Sequence, residues 1–196
     1  MSIIGTLPGD CLAGLHADTY RLTLDFERNE HGHIVLTIIG TDHSGAQEIE
    51  RLTTTRFYIS DWAKSCLLSK GDDGYDKKHR LVAGQRYKVA LMPTKEIEDD
   101  SDRTTEALRK RGIKKYGYGK PLAGIVPRIR EVVSNQLMEK MGFRYIAAPH
   151  DIITDSGGLP GVIGAYLGDD GSLLFAYCDH PGSRWNVGGA FAFLAS

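Results

Sequence analysis

Residues 120–148, KPLAGIVPRIREVVSNQLMEKMGFRYIAA, read as a helix that runs directly into a strand, and the rest of the chain can be arranged around that unit. Ile129, Val132, Val133, Leu137 and Met141 recur at i, i+3, i+4 spacing and make one apolar stripe, widened by Met138. Arg130, Glu131, Asn135 and Glu139 are expected on the opposite face. Pro127 suits a first helical turn, where its missing N–H is no loss, and Gly142 suits a left-handed C-terminal cap. The pattern predicts one core helix over 127–141, with Val133 and Leu137 nearly fully buried. Phe143, Tyr145 and Ala147 then alternate with Arg144, Ile146 and Ala148 as in a strand, which Pro149 ends.

Upstream, Tyr20, Leu22, Leu24 and Phe26 alternate with Arg21, Thr23, Asp25 and Glu27, predicting a half-buried strand over 20–27. A turn at 28–32 leads into HIVLTIIG at 33–40, apolar on both parities, which is expected to pair antiparallel with it. The Thr-rich run 52–59 has the β-branched content of a third strand. Ser60 is placed to cap a short helix, DWAKSCLLS, and residues 84–92 return to strand. A further helix is expected after Ser101, and its thin apolar face, Ala107 and Leu108, predicts a displayed element. Downstream, 162–167 and 173–178 flank GDDG as a hairpin, and a last strand lies within 185–194. Strands, then helices, then strands predict an α+β fold. The expected sheet, mainly antiparallel and built on 20–27, 33–40 and 143–148, packs on the 127–141 helix, with one or two shorter peripheral helices.

The chain has 196 residues and a formal net charge of −1, so a single α+β domain over 1–196 is expected, without wholesale coating by nucleic acid. Cys11, Cys66 and Cys178 form no CxxC pair and fit packed thiols of a reducing, cytosolic compartment. No apolar run reaches the roughly 20 residues of a membrane span, and MSIIGTLPGDCLAG lacks the basic and apolar regions of a secretory signal. No cofactor and no metal are expected, and nothing bears on oligomeric state.

Three stretches carry chemistry-bearing residues. Asp155-Ser156-Gly157-Gly158 lies in TDSGGLPG, which is similar to the GDSGGP motif around the nucleophile of chymotrypsin-like serine proteases. That resemblance implies a hydrolase with Ser156 as nucleophile, and His43 or His150 would have to be its base. Thr154 stands where the family has Gly, Pro160 comes one place late, and the amphipathic helix does not suit a pair of β-barrels. Cys178 and His180, two apart, could be a nucleophile and its base or half a metal site, although Cys178 also shares the parity of Leu174 and Ala176. The third stretch is basic and aromatic. Arg109, Lys110, Arg111, Lys114, Lys115, Tyr116, Tyr118 and Lys120 follow an acidic run at 96–102. Cations neutralise phosphates and aromatic faces stack on bases, so this stretch predicts a contact for an anionic partner: nucleic acid, nucleotide or an acidic protein face. The expectation is a small binding protein displaying 103–120, with a hydrolase using Ser156 or Cys178 and His180 as the alternative.

Overall fold

The protein is described by a computed structural model covering residues 26–55, 57–168 and 171–195. The strand expected at 20–27 lies, apart from its last two residues, outside the described residues, as does Cys11. In chain order the strands are β1 (Ile34–Ile39), β2 (Tyr58–Ile59), β3 (Arg86–Pro93), β4 (Tyr145–Ala147), β5 (Ile153–Thr154), β6 (Pro160–Gly168), β7 (Gly171–Cys178) and β8 (Gly189–Ala195). The helices are α1 (Gly45–Thr54), α2 (Asp61–Leu67), α3 (Tyr75–Lys78), α4 (Thr105–Lys110), α5 (Ile125–Val132) and α6 (Asn135–Met141).

The α+β class holds, and the sheet is mixed. Its order is β1-β3-β8-β4-β6-β7-β2, with β5 on the end of β6. Antiparallel pairing dominates, but β4 runs parallel to β8, and β2 to β7. The 33–40 and 143–148 strands are therefore not neighbours; β3 and β8 stand between them.

Alternation along the central strands assigns two cores. In β8, Ala190 and Ala192 join one apolar cluster while Phe191 and Phe193 join the other; β3 divides Val89 and Leu91 from Ala90 and Met92. Helices α1, α2 and α5 cover the first face, where small residues let them approach, and α4 with Trp185 covers the aromatic face. A strand covered on both sides needs no polar face, which explains why the C-terminal strands read as continuous apolar runs.

Several expected elements take another form. The 127–141 helix is two helices: Val133 adopts extended backbone (φ −110, ψ 100), and the Ser134 hydroxyl accepts from Leu137 N–H, starting α6 as an N-cap. Gly142 closes α6 in the left-handed conformation (φ 80), as its position suggested. The break rotates the apolar stripe. Val133 and Met138 are buried, Leu137 only partly, and Val132 is exposed. Arg130, expected in solvent, is fully buried; it donates to Val133 O and to Tyr166 O (3.4 Å), and burial pushes its guanidinium down to about 10.

The Thr-rich run is helix rather than strand as far as Thr54. Ser44 and Gln47 form a reciprocal capping box that starts α1, and Thr53 and Thr54 return their hydroxyls to Ile49 O and Glu50 O (2.7 and 2.8 Å). Only Tyr58–Ile59 is strand. Ser60 caps α2 as expected, and Cys66 on that helix is sealed, its thiol pushed up to about 12 by burial.

Candidate functional site

Segment 103–120 is built into the body rather than displayed. Thr104, not Ser101, caps α4, its hydroxyl accepting from Ala107 N–H at 3.1 Å. Leu108 is fully buried in the aromatic cluster, against the expectation of a thin, exposed helix. Arg103 is equally buried and donates to the carbonyls of Ile97 (3.0 Å), Glu98 (2.9 Å) and Trp185 (3.2 Å), so it clasps the acidic loop to the sheet. After Lys110 the helix widens into a π-turn, Arg111–Lys115. Gly112 within it lies against Phe193, where a Cβ would stand 2.3 Å from the ring, so only glycine lets the turn pack so closely.

This path divides the eight basic and aromatic residues among three places. Tyr116, Tyr118, Arg111 and Lys115 belong to a polar node around Glu96 and His33. Tyr116 donates its hydroxyl to Glu96, Arg111 Nε reaches the same carboxylate at 3.1 Å and Lys115 at 3.8 Å. Lys115 also sits 4.8 Å over the Tyr116 ring. Burial acts to raise Glu96, but hydrogen bonds from Tyr116, Arg111 and His33 outweigh it and hold the carboxyl below its usual range. Tyr118 is buried, with its hydroxyl 2.7 Å from His33 Nδ1 and 2.6 Å from Asn29 Nδ2. Glu96, His33 and Asn29 were invisible as site residues: each is ordinary in its own stretch, and only the fold joins them.

Lys120 pairs with Asp151 at 2.8 Å, a separate surface contact. Arg109, Lys110 and Lys114 share a groove with Thr104, Glu106, Ile113, Ile152, Asp179, His180 and Pro181, of about 690 Å³. Arg109 is a clasp there, donating to Pro149 O (2.9 Å) and His150 O (2.8 Å) and standing 3.7 Å from Asp179. Lys110 and Lys114 are exposed, and neither is in an ion pair or side-chain hydrogen bond among the described residues.

The hydrolase candidates lie elsewhere. Ser156 Oγ is 3.0 Å from Ser65 Oγ, with no imidazole among its bonded neighbours, while Asp155 Oδ1 accepts from Gly157 and Leu159 N–H (both 2.8 Å) in a local turn. Of the proposed bases, His43 faces Glu48 (3.7 Å), and His150 is buried with Nε2 accepting from Ile163 N–H at 2.9 Å. Cys178 lies opposite Gly161 in the β6–β7 ladder, half-buried, and His180 accepts from Gly182 N–H (3.1 Å) in the following turn. Among the described residues no cluster of three or more His, Cys, Asp or Glu side chains has the arrangement of a metal site. No described helix is long and apolar enough to cross a membrane. No protein-family profile, no curated protein and no solved structure matches the chain.

Proposed function

We propose that this is a binding protein that takes an acidic protein segment in the groove beside α4, with Lys110 and Lys114 as its charge contacts. One observation carries the reading. These two ammonium groups stand four residues apart on the groove wall, and neither is in an ion pair among the described residues although Glu106 and Asp179 also line the groove, whereas Arg111, Lys115 and Lys120 are matched by Glu96 and Asp151 and Arg109 is tied down. Ile113, Ile152 and Pro181 give the groove apolar surface that suits a peptide. Stacking on nucleobases has less support, because Tyr116 and Tyr118 are engaged at the Glu96 node. A hydrolase built on Ser156 has less still, since its hydroxyl meets Ser65.

Fluorescence titration with poly-glutamate and with single-stranded and duplex oligonucleotides, at low and moderate salt, tests this. Poly-glutamate is expected to bind, with an affinity that falls at least tenfold as salt rises, and to bind at least tenfold more weakly to the Lys110→Glu, Lys114→Glu double variant. Absence of binding at low salt overturns the proposal; preference for oligonucleotides, lost in the same variant, moves the partner to nucleic acid.

A further inference from the structure

We propose that Tyr118, His33 and Glu96 form a reaction centre in which the Tyr118 hydroxyl is the nucleophile for acyl transfer from small activated esters. The order hydroxyl, imidazole, carboxylate, absent at Ser156, is present here, and it supplies a base within reach of the nucleophile and a third group that orients the base. Asn29 and Glu96 together set the directions of these bonds. Asn29 Oδ1 accepts from the N–H groups of His31 and His33 (both 3.1 Å), so its Nδ2 donates to the Tyr118 oxygen. The Glu96 carboxylate only accepts, so His33 Nε2, 3.4 Å from its Oε1, carries the one N–H of the neutral ring, and Nδ1 is left to accept the Tyr118 proton at 2.7 Å. Tyr118 lines an open cavity of about 250 Å³ with Glu27, Asn29, Glu30, Lys88 and Tyr116, space for a small ester.

The step balances within these groups. The Tyr118 oxygen attacks the acyl carbon as its proton passes to His33 Nδ1, and the tetrahedral intermediate collapses by breaking the ester C–O bond. The alcohol leaves with the proton from His33, and Tyr118 is acylated. Water repeats the sequence to release the acid. Burial raises Tyr118 above the ordinary phenol range, so the proton must leave as the new bond forms. Burial also lowers His33 despite Glu96, which keeps the imidazole neutral and able to accept at neutral pH. The other charged or titratable groups around it are His31 with Glu30, Lys115, Tyr116 and, on the Glu96 carboxylate, Arg111, with Arg28 and Lys95 along the neighbouring cavity that His33 itself lines.

The test is acetylation of the full chain by p-nitrophenyl acetate, followed by peptide mass mapping. Tyr118 is expected to be acetylated at least tenfold faster than Tyr58, a residue 64% exposed, with a rate that levels off by about pH 7 rather than climbing toward the phenol value of about 10. His33→Gln should lower the Tyr118 rate at least tenfold and leave Tyr58 unchanged, and Glu96→Gln should cause a smaller loss. Acetylation confined to lysines, a Tyr118 rate no greater than that of Tyr58, or a rate indifferent to His33→Gln overturns the proposal. Should His33→Gln fail to fold, the pH profile of the native chain decides: a Tyr118 rate still rising at pH 10 overturns it.

Discussion

His79 and His150 meet with ring centroids 4.9 Å apart in the interior, and backbone groups hold them. Ala123 N–H donates to His79 Nδ1 at 3.3 Å, Ile163 N–H donates to His150 Nε2, and His150 Nδ1 faces Asp151 O. His33 is as well buried, yet side chains hold it, Tyr118 on one nitrogen and Glu96 on the other, and it lines a cavity with Arg28 and Lys95. A ring that closes backbone hydrogen bonds substitutes for missing secondary structure, and its proton has nowhere to go. A ring between a hydroxyl and a carboxylate can pass a proton without disturbing the chain. The difference separates a histidine that builds the fold from one that the fold places for chemistry.

The largest expected effect tests the structural half of that contrast. His150→Ala leaves Ile163 N–H and Asp151 O without their ring partner and opens a void, so chemical denaturation should show a loss on the order of 3 to 5 kcal/mol. A loss under about 1 kcal/mol would show that the ring is a bystander.

Packing under α4 comes next, since the polar node rests on it. Leu108→Ala should cost about 3 kcal/mol, within the range for a fully buried leucine, and Leu137→Ala, on the partly buried face of α6, about 1 kcal/mol or less. The reverse order would mean that α4 is loosely attached and the node poorly fixed.

Acid sharpens the comparison further. Burial lowers His79 to about 4 and His150 to about 3, so between those values and the unfolded value of about 6.5 the unfolded chain takes up protons that the folded chain refuses. The stability tied to these rings is complete above about pH 6.5 and is lost as pH falls. For His79 the loss amounts to about 3 kcal/mol by pH 4, one pKa unit being about 1.4 kcal/mol. Denaturation midpoints measured between pH 7 and pH 4.5 should fall, and the His79→Asn variant should show a shallower slope. An unchanged slope would assign the acid sensitivity to carboxylates such as Asp73 and Asp151, which also lie below their ordinary range in the folded state.

Small, too, is the cost at the open node. His33→Gln keeps a hydrogen-bonding side chain between Tyr118 and Glu96, and about 1 kcal/mol of stability should be lost while the Tyr118 reactivity collapses. A loss as large as that of His150→Ala would make His33 a second structural ring and remove the contrast.

Local signals in the sequence were enough wherever a short-range rule decides the backbone. Ser60 as a cap, Gly142 as a left-handed stop and the β6–β7 hairpin follow from side-chain reach and φ preference over a few residues, and all three are present. The α+β class was legible for the same reason. Rules of period alone were weaker: the stripe from Ile129 to Met141 continues through Val133 and Ser134, but a capping hydroxyl at Ser134 restarts the helix, and the Ser44–Gln47 box outweighs three β-prone threonines. The candidate site was legible only as a list. Eight basic and aromatic residues stand close in the chain, and the tertiary structure distributes them over a groove, a surface ion pair and the Glu96 node. Partners such as Asn29 and Tyr118, 89 positions apart, meet because β1 and β8 flank β3 and a bridge from Gly119 to Leu194 draws the segment after α4 onto that edge of the sheet. Sequence spacing carries contacts within a few turns of chain, whereas contacts across a sheet depend on strand order, which no residue specifies by itself.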